Sequence, residues 1–413
     1  MISPAFLPLS TPLALPNGAV VPNRVAKAAM EENMADAGQL PGAPLRALYS
    51  AWAAGGAGLI ITGNVMIDGR AMTGPGGLVL ERATPREPFA AWASAARANG
   101  AQVWMQINHP GRQVFAAMKG EAWAPSAVPL DLGKHSGLFA MPRAMTEADI
   151  AEVVRRFADT AAAAKEAGFT GVQIHAAHGY LISQFLSPLA NRRTDAWGGS
   201  LANRARLLLD VVRAVRARVS PAFCVAVKLN SADFQRGGFS EPDARQVLLW
   251  LNDLPVDLVE LSGGSYEAPA MQGRAADGRT LAREAYFLEF AKDLASVATM
   301  PVMTTGGIRR RAVAEQVLAS GVAMVGVATA LATRPDLPNA WFAGRDLDVP
   351  QQVVGWKDKG LVGLANMALV KRRLRAVGAG QGAPRTYSPL FTLIADQVRT
   401  RRLVRRYRAW AGR

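Results

Sequence analysis

The sequence predicts an α/β protein, a closed (β/α)8 TIM barrel with an N-terminal hairpin and a C-terminal basic helical extension. Three observations predict it: eight short apolar runs, helical patterns between them, and little polar/apolar alternation within most runs. Such runs are typical of strands buried on both faces of a parallel sheet. Eight strand–helix repeats favour a closed barrel, with an open doubly wound sheet as the second choice. The runs span 25–30, 58–64, 101–108, 171–177, 223–230, 258–264, 301–307 and 324–330.

Local signals for turns and helix starts support this order of elements. Asn17-Gly18 lies between short apolar runs and predicts a hairpin ahead of the barrel, where it could plug one end. Residues 146–149 (Thr-Glu-Ala-Asp) resemble a capping box that opens a helical pattern to residue 167. Ser200 and Ser240 begin two further helical patterns. No Gly-x-Gly-x-x-Gly follows an early strand, which disfavours a dinucleotide-binding doubly wound domain.

Composition limits the class of protein. The chain has 413 residues, half of them hydrophobic, and one cysteine, Cys224, which lies in an apolar run and is expected to be buried and inert. One cysteine excludes an internal disulfide, a four-cysteine zinc site and a cysteine-ligated iron–sulfur cluster. Because we find neither a signal peptide nor an apolar run long enough to cross a membrane, we expect a cytoplasmic protein.

The positive charge is concentrated at the C-terminal end. Residues 351–413 hold 14 Lys/Arg and 2 Asp/Glu, a net charge of +12, whereas the other 350 residues carry only +3. We therefore expect two parts, a barrel over 1–347 and a basic helical extension over 348–413, with helices at 353–377 and 389–410. A near-neutral body argues against a nucleic-acid enzyme. The basic helix could pack on its own barrel, contact an anionic membrane surface at the inner face, or bind a partner subunit.

The most informative polar cluster follows the fourth run. The active site of a barrel lies at the carboxyl ends of its strands, and two of the four histidines, His175 and His178, end this strand two residues before Tyr180. Two imidazoles could hold a carbonyl oxygen as charge develops on it, and a phenol could deliver a proton to the adjacent carbon. The alternatives are a buried structural histidine and, more weakly, a metal site, for which no third ligand is evident nearby.

A second candidate lies at the seventh strand. Gly306-Gly307 ends an apolar run and precedes a helix that begins near Arg309. Backbone N–H groups at such a helix start can bind phosphate, and barrels often hold phosphate at strands seven and eight. An ordinary strand–helix turn is the alternative interpretation.

These segments together resemble the Old Yellow Enzyme family of flavin-dependent oxidoreductases over roughly residues 5–345. The most specific block is 174–204, which contains His-Ala-Ala-His-Gly-Tyr-Leu at 175–181. Further matching segments are 23–30, 58–61, 106–112 (Gln-Ile-Asn-His-Pro-Gly-Arg), 184–188, Asn191, 193–195, 198–200, 203–204 and the Gly306-Gly307 turn.

The resemblance implies a barrel that holds FMN, accepts a hydride from NAD(P)H and reduces an activated, α,β-unsaturated alkene, with no metal. It implies that His175 and His178 bind the substrate oxygen, that Tyr180 protonates the α-carbon, and that Glu31 and Asn33 lie in the substrate pocket. We also expect a homo-oligomer and no nucleic-acid partner. The implied FMN-binding residues are Ala28, Ala29, Met30, Asn64, Gln106, Lys228, Gly306, Gly307, Arg309, Ala328 and Thr329.

Three positions depart from the family pattern. Glu31 stands where relatives commonly have Cys or Thr, Lys228 where they have Arg, and Thr329 where an Arg helps to hold the phosphate; Arg309 could substitute for the last. These departures leave two alternatives: a diverged, non-catalytic barrel scaffold with a membrane- or partner-binding tail, and a flavin-free lyase or aldolase that uses Lys228 as a Schiff-base lysine.

Overall fold

Eight parallel strands close into a barrel in the computed structural model, which describes residues 8–270, 284–347, 349–350, 352–381 and 386–412. The barrel comprises β3, β4, β7 and β10 to β14, closed by pairing of β14 with β3 and of β7 with β10. The eight predicted strands and the closed barrel are therefore confirmed, and the open sheet is excluded. In chain order the strands are β1 Leu13–Ala14, β2 Val20–Val21, β3 Val25–Lys27, β4 Leu59–Ile61, β5 Val65–Met66, β6 Leu78–Val79, β7 Gln102–Asn108, β8 Trp123–Ala124, β9 Arg143–Ala144, β10 Gly171–Ala176, β11 Cys224–Asn230, β12 Leu258–Ser262, β13 Val302–Thr304 and β14 Met324–Val327.

The hairpin β1–β2 plugs the amino-terminal end of the barrel, as predicted. Gly18 adopts a left-handed φ of 84° in its turn, a conformation that glycine adopts without steric cost. Leu13, Leu15 and Val21 pack against the inward-facing strand side chains, among them Trp104 and Cys224. Cys224 is fully buried, as predicted, and burial raises the pKa of its thiol to about 12, which disfavours the reactive thiolate.

Helices cover the outside of the barrel and begin where the sequence signals them. Thr146 and Ser240 each form a complete capping box, and Ser200 caps a third helix. The described helices are α1 Ala43–Ala54, α2 Glu87–Arg97, α3 Glu147–Glu166, α4 Leu181–Leu186, α5 Leu201–Arg218, α6 Glu241–Asn252, α7 Leu288–Ala295, α8 Arg311–Ala319, α9 Thr329–Thr333, α10 Leu337–Phe342, α11 Lys359–Gly378 and α12 Pro389–Trp410, with short 3-10 turns at Ala37–Gln39, Ala116–Met118 and Gly133–Leu138.

The two tail helices pack on the barrel. The structure corrects the first predicted boundary, because Asp358 caps α11 and the helix begins at Lys359 and not at residue 353. α11 lies against α1, where Gly378 approaches the carbonyl of Pro44 closely. α12 covers the segment between β5 and β6, and the buried hydroxyl of Tyr407 donates to the carbonyl of Gly69 at 2.9 Å. Among the described residues, no helix is both long and apolar enough to cross a membrane.

Candidate active site

A buried polar network lies inside the barrel near the carboxyl ends of its strands. Gln106 on β7 donates to Gln173 on β10 at 2.8 Å, and Gln173 donates to Glu260 on β12 at 2.7 Å. Lys228 on β11 forms an ion pair with Glu260 at 2.8 Å. Since every member is paired, this interior carries little net charge and holds its side chains in fixed orientations.

His175, His178 and Tyr180 come together as predicted. The ring centre of His175 lies 5.0 Å from that of His178 and 4.8 Å from that of Tyr180. His178 has a left-handed φ of 62°, and its backbone N–H donates to Asn230 Oδ1 at 3.1 Å. Such a conformation is costly for a non-glycine residue and is found mainly where the surroundings enforce it.

Burial and charge keep both imidazoles neutral. Burial lowers the pKa of His175 and of His178 well below 6.5, and the charge of Lys228 lowers both further. Nδ1 of His175 accepts a hydrogen bond from the backbone N–H of Ala177 at 3.2 Å, so its proton lies on Nε2. For His178 to donate through Nδ1, its Nε2 must accept the hydroxyl proton of Ser262, which is 2.7 Å away. The site thus offers one neutral N–H donor at His175, and a second at His178 in the tautomer in which Ser262 donates to Nε2.

Tyr180 is held as a protonated phenol. Its hydroxyl lies 3.1 Å from that of Tyr266, which follows β12. Burial raises the pKa of Tyr180 well above 10, and the neighbouring Tyr266 and the charge of Glu31 raise it further. The phenol therefore keeps its proton at neutral pH, as a proton donor must before it reacts.

Glu31 and Asn33 lie beside this cluster. The Glu31 carboxylate accepts a hydrogen bond from the Thr73 hydroxyl at 2.8 Å. Asn33 adopts a left-handed φ of 53°, and its carbonyl accepts from Arg399 of α12 at 3.1 Å. The tail helix therefore supports the strand-end loop that carries Glu31 and Asn33.

The seventh- and eighth-strand residues occupy the expected turns. Gly306 and Gly307 have φ values of 122° and 73°, and a side chain at either position would collide with Tyr286. The Glu284 carboxylate accepts the backbone N–H of Arg309 at 3.1 Å and pairs with its side chain at 3.1 Å. The phosphate role of Arg309 stays a prediction, and the structure adds that Glu284 would share this guanidinium.

The remaining predicted residues lie around the same end of the barrel. Ala28 and Met30 are buried just beyond β3, and Ala29 is partly buried there. Asn64 is buried beyond β4, while Ala328 and Thr329 begin α9 beyond β14. Apart from its bond to Glu260, the Lys228 ammonium carries two further N–H groups. An interior cation at Lys228 and an amide at Gln106 fit the ring of FMN. At the start of α8, by contrast, the Glu284 carboxylate accepts the backbone N–H groups of Arg309 and Arg310, so these two donors are already occupied.

Sequence reasoning missed four residues of the site: Gln173, Glu260, Ser262 and Tyr266. A signal existed for two of them. Gln173 lies two positions before His175 and so faces the same side of its strand, and Glu260 is the only charge in the run 258–264. Tyr266 lies beyond the strand, where no local pattern places it.

Comparison with known proteins agrees with this geometry. The model of the NADH:flavin oxidoreductase / NADH oxidase family matches residues 8–348. NADH-dependent flavin oxidoreductases of Neonectria sp. and Hypocrea jecorina are 40% and 38% identical, each over 81% of this chain. The chain spans 47% of the first of these relatives and 88% of the second.

Solved structures show the same fold. A 2-naphthoyl-CoA reductase complex aligns with a TM-score of 0.75 and 25% identity, over 82% of this chain and 52% of that one. An Old Yellow Enzyme homologue from Zymomonas mobilis aligns with a TM-score of 0.72 and 24% identity, over 83% and 95% of the two chains.

The family match, together with the parallel barrel and the two imidazoles and phenol at its strand ends, identifies a barrel oxidoreductase of the Old Yellow Enzyme type. The chain belongs to the NADH:flavin oxidoreductase / NADH oxidase family. FMN and NAD(P)H are the cofactors of that family and therefore of this chain.

Proposed function

We propose that this protein is an NAD(P)H-dependent ene-reductase that reduces the carbon–carbon double bond of an alkene activated by a carbonyl or nitro group. The observation that carries the proposal is the arrangement of two buried imidazoles, His175 and His178, around the phenol of Tyr180. Bound FMN supplies hydride transfer, from the nicotinamide and then to the β-carbon of the alkene.

The side chains of this chain supply the other half of the reaction. The N–H groups of His175 and His178 would bind the substrate oxygen and stabilise the negative charge that develops on it. Because both imidazoles are neutral, they polarise this oxygen without protonating it. Tyr180 would then transfer its proton to the α-carbon, and Tyr266 can return a proton to the phenolate through their contact at 3.1 Å.

Anaerobic spectroscopy tests the proposal. We expect the purified protein to show an oxidised-flavin spectrum that bleaches with NADH or NADPH and returns with 2-cyclohexenone. Tyr180→Phe should bleach normally but reoxidise with the enone about 100-fold or more slowly, the range for loss of a general acid. Tyr387→Phe, which removes a phenol in the tail, is the matched control. A protein that stays colourless with added FMN would refute the proposal and favour the barrel as a non-catalytic scaffold.

The alternative use of Lys228 as a Schiff-base lysine has less support. A Schiff base requires an accessible neutral amine, whereas Lys228 is buried and paired with Glu260 at 2.8 Å. Borohydride trapping in the presence of a carbonyl substrate would detect such an adduct, and we expect none.

We further propose that the extension 348–413 forms a separate functional part beside the barrel 1–347 and brings this cytoplasmic enzyme to the inner face of an anionic membrane. One face of α12 exposes an apolar stripe, Leu390, Phe391, Ile394 and Val398, followed by exposed Arg401, Arg402 and Arg405. Sedimentation with anionic but not zwitterionic liposomes would support this contact. Sedimentation velocity without lipid would test whether a homo-oligomer covers the stripe instead.

A further inference from the structure

A narrow cleft beyond the carboxyl ends of β3 and β4 is lined by hydrogen-bond acceptors. Glu31, Asn33 and Asn64 form its polar wall, and its apolar wall includes Met34, Leu45 and Leu78. The space at its centre is about the size of one water molecule, close to the smallest space that can hold a polar group of that size.

Two of these acceptors lack a partner. Asn33 is 8% exposed and Asn64 is 7% exposed, and the Oδ1 atom of each is buried without a hydrogen bond. A buried acceptor without a partner costs about 1–3 kcal/mol, and such groups are uncommon in folded proteins. Two of them facing one cleft point to a ligand that donates hydrogen bonds.

The cleft also carries a negative charge. Within the described ranges, the Glu31 carboxylate accepts from Thr73 and forms no ion pair. The other carboxylate at the cleft belongs to Glu32, and its negative charge is balanced by Lys27, whose Nζ lies 3.5 Å from Glu32 Oε1. One unit of negative charge therefore faces this space.

The cleft adjoins the reacting end of the site. Asn64 belongs to the polar wall of the cleft and lies near Tyr180, because its side chain lowers the pKa of that phenol. The charge of Glu31 raises the pKa of both Tyr180 and Tyr266, which shows that the carboxylate lies near both phenols. A substrate that places its α-carbon at Tyr180 would extend a neighbouring substituent into the cleft.

We propose that this cleft binds a protonated amine of the substrate, so that the preferred alkene carries an ammonium group next to its activated double bond. An ammonium group has three donors for the three acceptors, carries the complementary charge and is about the size of water. No group of three or more His, Cys, Asp or Glu in the described part of the chain is placed to hold a metal ion. The inference rests on the proposed function for the position of the alkene.

Ligand binding tests the cleft without turnover. We would titrate oxidised holoenzyme calorimetrically at pH 7 with 4-(aminomethyl)phenol and with 4-(hydroxymethyl)phenol, which differ in the cationic group. We expect the amine to bind at least tenfold more tightly than the alcohol. Glu31→Gln should reduce this ratio to near one, while Glu147→Gln, an exposed carboxylate on α3, should retain it. Thr73→Val, which releases the carboxylate, should also reduce the ratio.

The outcomes separate this inference from the proposed function. The cleft assignment would be overturned if the parent protein and Glu31→Gln showed the same ratio of affinity for the amine over the alcohol, or if the parent protein did not prefer the amine. This holds even if 2-cyclohexenone is reduced. An amine preference that depends on Glu31, in a protein that reduces no enone, would support the cleft and refute the ene-reductase.

Discussion

Lys27 forms a buried ion pair whose disruption should destabilise the fold. This side chain points outward from β3 and is completely buried beneath α1. Its ammonium lies 2.8 Å from the Ile61 carbonyl and 3.5 Å from Glu32, and 4.3 Å from the centre of the Trp52 ring. Tyr49 donates to the same Glu32 carboxylate at 2.5 Å. The pair therefore joins the loop after β3 to α1 and the end of β4.

Lys27→Met removes the cation and leaves Glu32 buried with only neutral partners. Breaking one side of a buried ion pair costs about 3–5 kcal/mol, because the remaining charge is uncompensated. Lys27→Met/Glu32→Gln leaves no unpaired charge, so we expect it to recover at least half of that loss. The losses of unfolding free energy caused by Lys27→Met and by Glu32→Gln should therefore not add up in the double variant, as expected for residues in contact.

The destabilisation should grow with pH. Burial lowers the pKa of Lys27 to about 8 in the folded protein, below its value of about 10.4 in an unfolded chain. Between these values the unfolded state binds more protons, so the parent protein gains stability as pH rises from about 8 to about 10, and Lys27→Met lacks this gain.

Urea unfolding followed by circular dichroism at pH 7 and 9 measures this prediction. The difference in unfolding midpoint between the parent protein and Lys27→Met should be larger at pH 9 than at pH 7. A loss below about 1 kcal/mol at pH 7, the size expected for an exposed ion pair, would refute the reasoning. A double variant as unstable as Lys27→Met would also refute it.

Three further predictions concern the site and its surroundings. In Ser262→Ala, His178 loses the hydroxyl that keeps its proton on Nδ1, so kcat/KM for the enone should fall about tenfold. The ¹⁵N chemical shifts of the His178 ring should change, and unchanged shifts would contradict the proposed tautomer. Tyr407→Phe should cost about 1 kcal/mol through its lost bond to Gly69 and speed amide exchange in residues 66–79; unaltered exchange there would contradict a supporting role for the tail. Thr329→Arg should lower the Kd for FMN about tenfold in titrations of apoprotein, and a weaker affinity would remove this position from the phosphate site.

Local sequence patterns were sufficient to predict the eight strands of the barrel. Each strand is a short apolar run buried on both faces, and such a run can be identified without its neighbours. The strands β5, β6, β8 and β9 were not predicted, because two-residue strands are too short to show a period. The start of the first tail helix was predicted six residues too early, at 353 and not at 359, because the capping effect of Asp358 was not considered.

The reacting groups themselves were also predictable, because they are close together in the chain. His175, His178 and Tyr180 lie within six residues at one strand end, so a single local motif identifies them. The balance of charge around them was not predictable. Glu31 stands where relatives commonly have Cys or Thr, and only the structure shows its carboxylate held by Thr73 near the two phenols.

The sequence by itself therefore determined the eight strands, the motif of two histidines and a tyrosine at 175–180, the lone buried cysteine and the basic tail. Tertiary structure decided which groups meet: Tyr266 beside Tyr180, 86 residues away in the chain, Glu260 beside Lys228, and the tail helix beneath the loop that carries Asn33. Strand formation depends on the period and hydrophobicity of neighbouring residues. Pairing between distant side chains depends on barrel closure and register, which no local segment encodes.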